Sequence, residues 1–144
     1  MFLLLWFFIL GFCFSDCVHD AKNFRCVKYE RNYDGDTITF QIPNVHPLLG
    51  EHISVRVFGV DTPEKNGKKP CEKARARDAQ RLVENLLKRA KIIELKNVGR
   101  DKYFRILAEV WADGNSVADI LIKNKLAYPY FGDRKPTSMS WCLN

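Results

Sequence analysis

Two short acidic clusters hold the side chains in this sequence best suited to chemistry: Asp34-Gly35-Asp36-Thr37 and Asp61-Thr62-Pro63-Glu64. Carboxylate oxygens are the natural ligands of hard divalent cations, and calcium gathers roughly six to eight oxygens from carboxylates, backbone carbonyls and water. Two aspartates, one carbonyl and several waters would form an open site in which a water can be activated. Each cluster alone also has a plain structural reading. Asp-Gly is a favoured hairpin corner, and Asp61 with Glu64 three residues on matches a helix-capping pattern. Their combination weighs more, because Asp36, Asp61 and Glu64 fall at the ends of segments that would lie side by side in a meander.

Two arginines extend the pattern. Period-two alternation puts Arg56 on one face with Phe58 and Val60, and a guanidinium on an apolar face needs a partner. It is either a buried ion pair with one of the aspartates or a planar fork held for a phosphate. Arg105, with Phe104 and Ile106 on the opposite face, reads either as a second fork or as an exposed cross-strand charge pair.

The elements that must position these groups follow from hydrophobic period. Residues 24–32 and 37–42 alternate around the corner 33–36, which is a hairpin signal, and residues 52–60 supply a third strand. Ala79, Leu82, Val83, Leu86, Leu87 and Ala90 then recur at three- and four-residue steps, predicting a helix over 71–89. Residues 91–97 and 103–111 return to strand character before a turn at Asp113-Gly114, and a second helix capped by Ser116 runs to about Lys125. The order strand, strand, strand, helix, strand, strand, helix predicts an α+β, mainly β domain. Its five strands would form a closed sheet with two helices packed against it.

The 144-residue chain has 23 Lys+Arg against 17 Asp+Glu and 47% hydrophobic residues, which suits one globular domain and excludes a collagen-like or wholly disordered chain. The net +6 favours an anionic partner such as nucleic acid or a membrane surface. Residues 1–15 carry no charge, and the stretch is short of the roughly 20 residues a membrane helix needs, so it is expected to be a secretory signal. An uncleaved anchor is the lesser alternative. Loss of that segment removes Cys13 and leaves Cys17, Cys26, Cys71 and Cys142. An even count in an exported chain predicts two disulfides among three possible connectivities. The closeness of Cys17 and Cys26 favours pairing them with each other, and Cys71 with Cys142. No CxxC spacing supports a zinc site.

DGDT at positions 34–37, VRVFGVDTPE at 55–64, DKYFR at 101–105, ADG at 112–114 and LAYPY at 126–130 together resemble the staphylococcal nuclease (thermonuclease) family. The resemblance covers residues 32–131 and implies an OB-fold barrel, preceded by an extension at 16–31 and followed by a coil at 132–144. It implies a calcium-dependent enzyme that hydrolyses DNA and RNA to 3′-phosphate ends, with flexible or single-stranded substrate cut best. By matched position, Asp36, Asp61 and the Thr62 carbonyl would hold Ca2+, Glu64 would position or deprotonate the attacking water, and Arg56 and Arg105 would grip the phosphate. Lys102, Tyr103 and Tyr130 would bind substrate, although Tyr130 is equally readable as an aromatic covering the barrel rim. No obligate protein partner and no lasting membrane association are expected. Where the family commonly has Gly, this chain has Phe104. A catalytically silent nucleic-acid or protein-binding copy of the domain is the alternative.

Overall fold

A computed structural model of the chain describes residues 17–135 and 140–142, so the expected signal at 1–15 lies outside the described residues. Strands β1 (Lys28–Asn32), β2 (Thr37–Gln41) and β3 (Ile53–Val57) pair antiparallel in succession, as the meander requires. Helix α1 (Pro47–Gly50) sits in the turn-rich stretch before β3 and has no hydrophobic period by which to predict it. Beyond β3 come β4 (Val60–Asp61), helix α2 (Pro70–Arg89), β5 (Ile93–Arg100) and β6 (Ile106–Ala112). The chain then adds β7 (Asn115–Ser116), helix α3 (Val117–Lys123) and β8 (Tyr128–Pro129).

The main sheet runs β1-β2-β3-β6-β5, with β7 added to β6. β6 lies antiparallel to β5 and parallel to β3, while β4 and β8 form a small antiparallel pair of their own. The strand ladders do not close into the expected ring. The edges meet only just before β1, where Phe24 bridges Leu95 and Val27 N–H donates to the Ile93 carbonyl at 3.1 Å. Cys26, with φ 55, takes a left-handed turn there, which few non-glycine residues adopt and which interrupts an extended ladder. The strand expected over 24–32 therefore shortens to β1.

Two further boundaries move for the same kind of reason. The strand expected over 52–60 breaks after Val57, where Gly59 at φ 85 turns the chain before it resumes as β4. That break removes the shared face inferred for Arg56, Phe58 and Val60. The strand expected over 103–111 begins only at Ile106, because Phe104 at φ 61 lies in a turn.

Apolar residues from both layers fill the core. Ile38, Phe40, Val55, Val57, Leu95 and Val110 of the sheet pack against Val83, Leu87, Val117 and Leu121 of the helices. α2 starts at Pro70, carries Glu72 in its first turn and ends on Lys88 and Arg89, which places charge to complement the helix dipole. α3 is capped as expected, the Ser116 hydroxyl accepting from Asp119 N–H at 3.2 Å. Both expected cysteine pairs are at bonding distance, Cys17 with Cys26 and Cys71 with Cys142.

Candidate active site

The first acidic cluster is a hairpin turn built by a side chain. Asp34 Oδ1 accepts from the backbone N–H of Asp36 at 3.1 Å and of Thr37 at 2.8 Å, an Asx arrangement that replaces the usual glycine-driven corner. Gly35 is there for space, since a Cβ would stand 2.8 Å from Thr62 Cγ2 and 2.9 Å from Ala79 Cβ. That close approach brings the turn onto the second cluster, and Thr62 N–H donates to Asp36 Oδ2 at 2.9 Å.

Arg56 joins the two clusters. Its Nη1 lies 3.1 Å from Asp36 Oδ2 and its Nη2 lies 3.3 Å from Asp61 Oδ1, with side-chain exposures of 11%, 8% and 7% for Arg56, Asp36 and Asp61. Nη1 also donates to the Val57 carbonyl at 2.9 Å. Burial pushes the Asp36 carboxyl up to about 7 against the pull of Arg56, with Asp34 and Asp61 adding to the rise. On its other oxygen Asp61 accepts the Tyr128 hydroxyl at 2.6 Å and faces Lys135 Nζ at 3.0 Å. Burial and this bond to Asp61 hold the Tyr128 phenol well above its usual value. For Lys135, burial works against the ammonium, but Asp61 and Glu64 outweigh it and raise its pKa.

Glu64 is not part of a helix cap. α2 begins later, at Pro70, and its cap residue Lys69 makes no side-chain capping bond. The Glu64 side chain is 59% exposed beside Asp61, with Lys135 at 4.0 Å. Glu64, Asp61, Thr62 and Lys135 share one polar cleft of about 330 Å³ with Lys69, Glu72 and the tail residues 140–142.

Arg56 also borders a second cleft, of about 320 Å³, which contains Arg105, Lys102, Tyr103 and Tyr130. Asp101 organises its far wall by accepting from Tyr103 N–H at 2.8 Å, Arg105 N–H at 2.9 Å and Arg105 Nε at 2.7 Å. Slight burial opposes the charge on Asp101, but those bonds keep its carboxyl below the usual range. Arg105 is thus paired within its own loop rather than across a strand. Lys102 and Arg105 both lie over the exposed Tyr103 ring, 5.2 and 5.6 Å from its centroid.

The family with the description staphylococcal nuclease homologue matches residues 54–141. Endonuclease YncB of Bacillus subtilis is 39% identical over 110 residues, covering 75% of this chain and 49% of its own length. The SPbeta prophage-derived endonuclease YokF of the same organism is 36% identical over 103 residues, covering 70% and 33%. The chain belongs to the staphylococcal nuclease family. It spans about half the length of the first relative and a third of the second.

For a staphylococcal nuclease family chain, the sequence-predicted residues are gathered closely. Arg56 bonds to both Asp36 and Asp61, Thr62 bonds to Asp36, Glu64 shares a cleft with Asp61 and Thr62, and Lys102, Tyr103, Arg105 and Tyr130 share another with Arg56. Arg56 forms the buried ion pair of its structural reading, and its side chain also borders the second cleft.

The donor set fits an oxygen-ligated dication. Two adjacent buried carboxylates already attract two cationic side chains, Arg56 and Lys135, and the buried Thr62 hydroxyl has no hydrogen-bond partner. Among the described residues no group of three or more acidic, histidine or cysteine side chains could cage a metal, so carbonyl and water oxygens would complete the shell. Tyr128 and Lys135 were not predicted. Tyr128 lies inside the LAYPY motif, but no spacing rule marks a tyrosine as a carboxylate partner, and Lys135 sits in a tail without periodicity.

Proposed function

We propose that the protein is a calcium-dependent nuclease that hydrolyses phosphodiester bonds in DNA and RNA, preferring single-stranded or flexible substrate and leaving 3′-phosphate ends. The observation that carries this reading is the position of Arg56, between a pair of buried carboxylates suited to a dication and a basic, aromatic cleft suited to nucleic acid. Both curated relatives bear the name endonuclease.

In this reading Asp36, Asp61 and the Thr62 carbonyl would hold the Ca2+, which when bound would supply positive charge to the phosphate and to the attacking water. Glu64, exposed beside Asp61, positions the attacking water and takes its proton. Arg56 and Arg105 offer guanidinium forks to the phosphate and offset the negative charge that grows as the phosphorus becomes five-coordinate. Lys102 attracts the backbone, while Tyr103 and Tyr130 offer faces on which bases stack at about 1 to 3 kcal/mol each. Such contacts read no sequence.

Export is part of the proposal. Residues 1–15 act as a secretory signal, residues 16–31 form an extension, residues 32–131 are the catalytic domain and residues 132–144 are a tail. Two disulfides support an oxidising destination. Among the described residues no helix is long and apolar enough to cross a membrane.

The test is cleavage of heat-denatured DNA and of RNA by the purified, oxidised protein with calcium present or removed by EGTA, followed by end-group analysis. Calcium-dependent products ending in 3′-phosphate are expected. Binding without cleavage by the folded protein, with magnesium and manganese also tried, would overturn the enzyme reading in favour of a silent binding module.

A further inference from the structure

The tail after β8 returns to the acidic cluster. Tyr130 N–H donates to the Gly59 carbonyl at 3.0 Å, and Phe131 packs edge-on against Phe58 with ring centroids 5.5 Å apart. Farther along, Trp141 stacks on Tyr128 at 5.2 Å and 29°, and Cys142 is bonded to Cys71 in the first turn of α2. Between these anchors Lys135 Nζ reaches 3.0 Å from Asp61 Oδ2 and 4.0 Å from Glu64 Oε1. The described parts of the tail are thus fastened at Tyr130–Phe131 and at Trp141–Cys142, and Lys135 lies between them in sequence.

We propose that Lys135 is a built-in rival of the divalent cation at Asp61, and that the Cys71–Cys142 disulfide holds the tail so that this ammonium stays in place. The inference rests on the proposed calcium site. An ammonium 3.0 Å from a carboxylate oxygen occupies a share of the space and field that a metal at that oxygen would need. Metal entry then requires Lys135 to swing away, which its 53% exposed side chain permits. The cost is that of breaking a half-exposed ion pair, so it sets affinity without blocking the site. Lys135 acts here on Asp61, not on the substrate, and its effect is on the metal occupancy at which the protein works.

The experiment is calcium titration by calorimetry, without nucleic acid, on the oxidised protein, Lys135→Ala, Lys135→Arg, the double variant Cys71→Ser/Cys142→Ser, and Asp36→Ala as a reference for the site. Lys135→Ala is expected to bind calcium about three- to tenfold more tightly than the parent, the effect of losing one partly exposed pair. Lys135→Arg, which keeps the charge, should stay within about twofold of the parent on the same reasoning. The double serine variant keeps Lys135 but releases the tail, so it should move in the same direction as Lys135→Ala. If it does not fold, the alanine and arginine variants decide the matter between them. Parental affinity in Lys135→Ala, with binding still lost in Asp36→Ala, would overturn the rivalry and leave the calcium site standing. Folded parent and variants that all fail to bind calcium would overturn both.

Discussion

Asp36 feels two opposed influences, and pH separates them. Its carboxyl is held near about 7 in the folded chain against an ordinary value of 3.8, chiefly by burial. The folded state therefore keeps a proton that the unfolded chain gives up between pH about 4 and about 7. In a chelator, stability from this group is greatest at the acid end of that window and is lost as pH rises through it. Asp36→Asn should lack that slope, and urea midpoints of the two proteins should converge toward acid and separate toward neutrality. Glu64 behaves differently because its exposed side chain supports nothing in the core. Glu64→Gln should leave the melting temperature unchanged while lowering turnover by about two to four orders of magnitude if it handles the proton. The types and spacing of these residues made them legible in the sequence. The partners Tyr128 and Lys135 were not, because their contacts with Asp61 cross 67 residues in one case and come from an aperiodic tail in the other.

At the level of the elements, the hydrophobic period predicted well wherever one face is buried throughout. α2 lies close to its expected bounds for that reason. Prediction failed where a single left-handed residue overrode the period, at Cys26, Gly59 and Phe104, since β-type alternation continues through a position that the backbone does not. α1 was missed because four residues are too few to show a helical period. The turn at 33–36 was located correctly, but its working part is the Asp34 carboxylate rather than the conformational freedom of Gly35. Gly35→Ala should cost about 1 to 3 kcal/mol in chemical denaturation, because the new methyl meets Thr62 and Ala79 side chains in packed surroundings. The same change should disturb the Thr62 bond to Asp36, so calcium affinity should weaken along with stability.

Across the whole molecule, the core was readable from apolar pattern, whereas closure of the sheet was not, because it depends on how the edge strands end. The Cys71–Cys142 bridge spans 71 residues of chain, and in the loop-entropy account such a link stabilises by about 4 kcal/mol. Replacing both cysteines by serine should lower the unfolding free energy by up to about that amount in oxidised protein. Reductant should then cost the variant less than it costs the parent.

The two disulfides also determine what would happen if the backbone were cut. Lys65, Lys68 and Lys69 lie in the turn between β4 and α2, the kind of surface segment where a lysine-directed protease nicks first. Neither bridge spans that turn, since Cys17–Cys26 closes before it and Cys71–Cys142 after it. A nicked protein would hang together without a covalent link, through the β3–β6 and β4–β8 ladders, the bonds of Phe24 and Val27 to Leu95 and Ile93, and the packing around them. Asp36, Arg56, Asp61 and Glu64 would belong to one fragment, and Lys102, Tyr103, Arg105, Tyr128 and Lys135 to the other. Such a molecule would migrate as one body under native conditions and as two in denaturant without any reductant, so each half of the site would be a separable reagent for the other.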